Sequence, residues 1–304
     1  MKTLLPSPNA GPGNRPAAFT LVDLLGVLLA LALLAALMSP ALARTRLDTK
    51  SFQCMNNARQ IAAALQTYAA DHQDLLVPNP DDGTSVQGHN WCVGLAGVGD
   101  AGEFNPDALK SASSTLVAPY VRNEVALFHC PADPRSGRYT GSEPGKAGTV
   151  VKSARSVSLN AAVGTICPSF DAGSGHSGAP RLSVNGPWLD NAHSHRRDSP
   201  YKTFGKLTSF TTVPPAGIWL TIDEDPYSIN DGNFAVGMNT AEWIDFPGTA
   251  HDFAATLSFG DGHVELHRWL DSRTLVVNGN VTRRPVPNSV DWAWLAARTS
   301  FRAQ

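Results

Sequence analysis

The chain has 304 residues, with 24 basic against 26 acidic side chains and a formal charge of −2. That length can bury a substantial core in one large or two small domains, and basic residues this scattered give no electrostatic footprint for nucleic acid. The 26 glycines and 22 prolines favour short strands and many turns over a helical bundle.

The first long feature is apolar. No charged residue interrupts Leu24 to Ala43, and a helix of that length, at about 1.5 Å per residue, spans a hydrocarbon core of about 30 Å. A secretory signal peptide has a shorter apolar core followed by a small-residue cleavage site, whereas here the small pair Ala17-Ala18 comes first. The stretch "AAFTLVDLLGVLLALALLAALMSPAL" resembles the leader and first helix of type IV pilins and type II secretion pseudopilins. The resemblance implies that a prepilin peptidase cuts between Ala18 and Phe19 and methylates the new amine on Phe19. It also places Pro40 where many pilin helices carry a kinking proline. Ala18 stands where the family usually has Gly, and Asp23 where it has Glu, so small size and negative charge are kept. An ionisable group in an apolar helix is costly and signals a partner. The resemblance implies that Asp23 pairs with the Phe19 amine of a neighbouring subunit; a place in the lipid headgroup layer is the other reading. Phe19, Asp23 and Pro40 are thus the expected assembly residues.

Beyond Pro40, the residues Phe52, Met55, Ala58, Ala62, Leu65 and Ala69 recur every three or four positions, which predicts one face of a helix running to about Asp71. "CMNNARQIAAALQTYAAD" strengthens the pseudopilin resemblance. The implied organisation is a leader over 1–18, the membrane half of a spine helix over 19–43, its amphipathic half over 44–72, and a head over 73–304. Pro78 to Gly83 clusters turn formers. "LVAPYVRNEVALFHCPAD" predicts a short helix and then a strand over "ALFHC". "SVSLNAAVG" and "GIWLTID" read as strands, and "ATLSFGDGHVELHRW" as a hairpin turning at Gly260-Asp261-Gly262. Residues 168–200 read as a long surface loop. The expected class is α+β, with a long N-terminal spine helix packed on an antiparallel β-sheet head.

Nine residues separate His251 from Asp261-Gly262, and this resembles the H-X9-DG signature near the C-terminus of a large pseudopilin-like group. In one reading the motif is a turn and a hydrogen-bonded histidine. In another, His251 and Asp261 share contacts with Asp223, Glu224, Asp225, Asn230 and Asp231, oxygen donors of the kind that Ca²⁺ takes about 6–8 at a time. Major pseudopilins bind calcium in a C-terminal loop, so the resemblance implies the same ion. A weaker alternative is zinc on His251, His263 and His267. Cys54, Cys92, Cys130 and Cys167 contain no CxxC pair; they allow one or two disulfides, in any of three full pairings, or buried free thiols. Trp188, Trp219, Trp243, Trp269, Trp292 and Trp294 read as core and interface aromatics, or else as stacking surfaces for a glycan. His193 to Asp198 offers bases, yet no nucleophile elbow, HExxH or phosphate-cradling loop accompanies it.

The expectation is a noncatalytic, pseudopilin-like structural subunit of a type II secretion or type IV pilus-like system that requires no cofactor. It would be single-pass in a bacterial inner membrane, with its head in the periplasm or outside the cell. Its implied partners are the prepilin peptidase, other pseudopilin subunits and the assembly platform. The alternatives are an anchored surface protein whose head binds a glycan or other ligand, and an uncleaved, signal-anchored enzyme.

Overall fold

The computed structural model describes residues 21–81, 86–171, 175–193, 197, 199–212 and 217–303, with side chains at all of these except 35–48, 211 and 212. The chain divides into two compact units, Met1–Arg46 and Leu47–Gln304. The first helix, α1 (Leu21–Asp71), has residues in both.

In the first unit, Leu21 to Leu34 are exposed on every side, including Leu21 and Val22 at about three quarters of their surface. Among the described residues no helix is long and apolar enough to cross a membrane. The expected span over 24–43 continues past Leu34 into residues whose side chains lie outside the description, Pro40 among them, and Ala18 and Phe19 lie outside it altogether.

The second unit is α+β and has three layers. Its strands in chain order are β1 (Ser136–Arg138), β2 (Val150–Lys152), β3 (Val157–Asn160), β4 (Thr165–Ile166), β5 (Leu182–Ser183) and β6 (Trp219–Asp223). They continue with β7 (Asn233–Phe234), β8 (Val236–Gly237), β9 (Glu242–Trp243), β10 (Ala254–Phe259), β11 (Val264–Arg268) and β12 (Arg284–Pro285). Two further helices are α2 (Pro168–Asp171) and α3 (Val290–Thr299). The central sheet runs β11-β10-β6-β3-β7. It is antiparallel except for the β3–β7 pair, which is parallel, so the expected purely antiparallel sheet is in fact mixed.

Residues 51–71 of α1 cover one face of this sheet, where Ile61, Leu65 and Tyr68 cluster with Leu159 and Leu220. The other face packs Trp219, Ile222, Leu257 and Phe259 against Trp269 and Leu295. The register slips by one residue between β6 and β10. Such a bulge re-aims side chains, and here Leu220 joins the α1 side while Trp219 and Ile222 both join the other. The Ser289 hydroxyl caps α3 by accepting the Trp292 N–H, and α3 lays Leu295 and Ala296 into the second cluster.

Three sequence expectations change. Phe52 is 72% exposed, and the buried face keeps the expected Ala58, Ala62, Leu65 and Ala69 but widens to Cys54, Asn57, Ile61 and Tyr68. "ALFHC" is a 3₁₀ turn over Val125–Phe128 followed by an irregular segment, because its carbonyls at Ala126 and His129 face the Asn57 amide instead of a neighbouring strand. The segment expected as a surface loop contains α2 and β5, and β5 pairs with β4.

Candidate functional site

The motif around His251 joins sheet to helix at two places. The β10–β11 hairpin turns where expected, with Gly262 at φ +87°, a conformation that costs glycine little. At the turn the Gln66 amide donates to the Gly260 carbonyl at 2.9 Å. At the opposite end of β10, the Ser51 hydroxyl meets His251 Nδ1 at 3.1 Å. Ser51 and Gln66 are about 22 Å apart along a helix, a distance that the strand and its turn cover alongside. His251 and Asp261 therefore do not meet. Asp261 sits at the exposed hairpin tip, where its carboxylate pairs with His263 at 2.6 Å, and the buried His251 faces the helix.

The residues that His251 does meet come from four places in the chain. Its Nε2 lies 3.0 Å from Cys130 Sγ and 3.8 Å from Asp223 Oδ2, and the Cys54 thiol lies 3.2 Å from that same oxygen. One donor atom from each of Cys54, Cys130, Asp223 and His251 falls within 4.8 Å of all the others, and all four residues are buried. Each is held by its element. Cys54 projects from α1 near Asn57, whose amide faces the Ala126 and His129 carbonyls just before Cys130. The Cys130 N–H donates to the Ser156 hydroxyl. Asp223 ends β6, accepts the Thr256 N–H at 3.0 Å, and is backed by Gly248, where a Cβ would lie 3.1 Å from its own. His251 begins a tight turn through Asp252 and Phe253, both at positive φ. A cavity of about 120 Å³ opens on Cys130, Asp223 and His251.

The electrostatics follow from three acidic groups gathered around one base. The Cys54 hydrogen bond, opposed by burial and joined by His251, pulls the Cys130 thiol well below its ordinary value. That same bond, burial and the Asp223 charge push Cys54 up. Burial, with the Cys130 charge, pushes Asp223 to about 7. Burial would lower His251, but the Cys130 sulfur and the Asp223 carboxyl outweigh it and hold the imidazole above its ordinary range.

The other expected ligands lie elsewhere. Consecutive strand residues point to opposite faces, so Glu224 leaves Asp223 and joins Ser158 and the fully buried Arg155 on the far side. Burial pushes Glu224 to about 8, and Asp231 is buried beside Asp81 and Arg155. Asp225 caps the turn to Tyr227. The seven residues expected to share calcium therefore do not form one oxygen shell. His267 stacks on Trp294 at 3.5 Å and His263 sits at the hairpin tip, so neither joins His251 in a zinc site.

All four cysteines are buried free thiols. Cys167 lies with His89 and His176, a second trio of close donor atoms. Trp219, Trp243 and Trp269 are core residues. The partly exposed rings of Trp188 and Trp294 already stack on His193 and His267, with Arg283 and Arg298 over them. Asn57 lies within the quoted "CMNNARQ" stretch, whereas nothing in the sequence marks Ser51. Neither a curated protein nor a solved structure matches the chain. Over residues 49–178, which hold Cys54 and Cys130 but stop short of Asp223 and His251, it is similar to the family SBP_bac_10, described as a protein of unknown function (DUF1559).

Proposed function

We propose that the chain is a noncatalytic, pilin-like subunit that is anchored and assembled through its N-terminal helix. The supporting observation is the contrast along α1. Apart from Asp23, Leu21 to Leu34 are apolar and exposed all round, whereas from Cys54 onward the helix is buried on one face against its head. A helix apolar on every side requires lipid or other helices around it. Asp23, the acidic group in its first turn, would set register against a neighbouring subunit's amine. The precursor would reside in the inner membrane, be cut between Ala18 and Phe19 by a prepilin peptidase, and pass to an assembly platform with its head outside the cytoplasm.

The test is intact-mass and N-terminal analysis of the protein from its native membrane. A chain starting at N-methylated Phe19 supports the proposal, and one starting at Met1 overturns it. Asp23→Asn separates assembly from simple anchoring. A polymerising subunit loses crosslinked multimers with the head unchanged, while an anchored ligand-binding protein tolerates the change.

A further inference from the structure

We propose that Cys54, Cys130, Asp223 and His251 form a tetrahedral zinc site that fastens the helix to the sheet. This inference stands apart from the proposed function, since it concerns the unit Leu47–Gln304 alone.

The geometry suits the metal. Zinc bonds of about 2.3 Å to sulfur and about 2.0–2.2 Å to nitrogen and oxygen place ligand atoms about 3.3–3.8 Å apart in a tetrahedron. Three of the six donor separations here are 3.0, 3.2 and 3.8 Å and the others lie within 4.8 Å, so small side-chain shifts bring the set to that spacing. Two thiolates, an imidazole and one carboxylate form a set that zinc accepts. Calcium needs about 6–8 oxygens and would find one carboxylate.

The orientation of His251 separates a metal site from a catalytic triad. In a triad, the base meets its nucleophile through one ring nitrogen and its orienting acid through the other. Here Nε2 faces both Cys130 and Asp223, while Nδ1 meets the Ser51 hydroxyl. All the donors thus converge on one point, and the remaining ring nitrogen makes the outer hydrogen bond typical of a metal-bound histidine. Charge supports the same reading. Three groups that become anionic are buried around one imidazole, and a dication compensates them where protons otherwise must.

On binding, Zn²⁺ forms bonds to both sulfurs, Nε2 and a carboxylate oxygen. Three protons, those of Cys54, of Asp223 and of the Cys130–His251 pair, leave to solvent, and no electron is transferred.

The experiment uses the full chain in detergent, reduced and freed of metal, titrated with Co²⁺ and then Zn²⁺. Expected are intense visible bands and a sulfur-to-cobalt charge-transfer band that Zn²⁺ abolishes, together with protection of Cys54 and Cys130 from alkylation. Cys130→Ser and His251→Gln should each hold one metal equivalent fewer than the wild type. Ser51→Ala should bind about 10-fold more weakly. Because the wild-type spectrum and thiol mapping need no variant, a misfolded mutant does not blunt the test. Three results would overturn the proposal: no thiolate-to-cobalt band, metal retained in full by Cys130→Ser, or Cys54 and Cys130 joined by a disulfide in protein taken from its native membrane.

Discussion

Asp231 is 3% exposed, and its Oδ1 accepts the Asn233 N–H at 2.7 Å. Burial, and then the neighbouring Asp81 carboxyl, push its pKa well above the ordinary carboxylate range. The folded head therefore holds a proton that the unfolded chain releases near pH ~4. Stability from this group is complete below that pH and is lost as pH rises through the folded value. The head should thus have a higher urea midpoint near pH 5 than near pH 8. Asp231→Asn, which keeps an acceptor for Asn233, should shrink that difference, and an unchanged difference would refute the assignment. The same residue scale shows the limit of reading a chain as a string. Asp223 and Glu224 look like one pair of donors in "DEDPYSIND". Strand parity sends Asp223 to the helix and Glu224 to Arg155, and parity becomes decisive only once the neighbours on each face are known.

At the scale of elements, the second half of α1 was legible as a helix from its periodicity, but its orientation was read slightly wrong. Phe52 is outside, and Cys54 and Asn57 are inside. Hydrophobicity pointed to the phenyl ring, whereas the buried polar positions belong there because they have partners in the Cys130 segment and on β6. Ile61→Ala should lower stability by about 2–5 kcal/mol, the usual cost of truncating a buried aliphatic side chain. Phe52→Ala should stay within about 0.5 kcal/mol. Equal effects in chemical denaturation would contradict the observed face. The hairpin, β3 and β6 were legible for simpler reasons, namely a Gly-Asp-Gly turn between two alternating strands and runs of β-branched residues. Helix α3 was not anticipated, since "VDWAWLAART" gains its meaning from the aromatic cluster it covers.

Across the whole molecule, every member of the proposed metal site is marked in the sequence, yet never as one set: the cysteines for disulfides, Asp223 and His251 for calcium, and His251 also for zinc with two other histidines. Their convergence depends on docking α1 against β6 and β10, which no local pattern encodes. If zinc binds there, a ligand present at about 100 times its dissociation constant adds about 2.7 kcal/mol to the folded state. Chelation should then lower the melting temperature by about 5–10 °C for a head of this size, and added zinc should restore it. No shift in a calorimetric scan would mean that the cluster is held without metal.

The distances along the chain between these partners have a consequence in time. Cys54 and Asp223 are 169 residues apart, and Cys130 and His251 are 121 apart. A chain delivered N-terminus first presents Cys54 long before the histidine arrives, and closing such loops comes late in folding. Until then both thiols are open to oxidation or mispairing. The completed cluster therefore reports that nearly all of the head has reached its native arrangement, and the yield of correctly folded protein should depend on how long the unfinished chain waits with those sulfurs exposed.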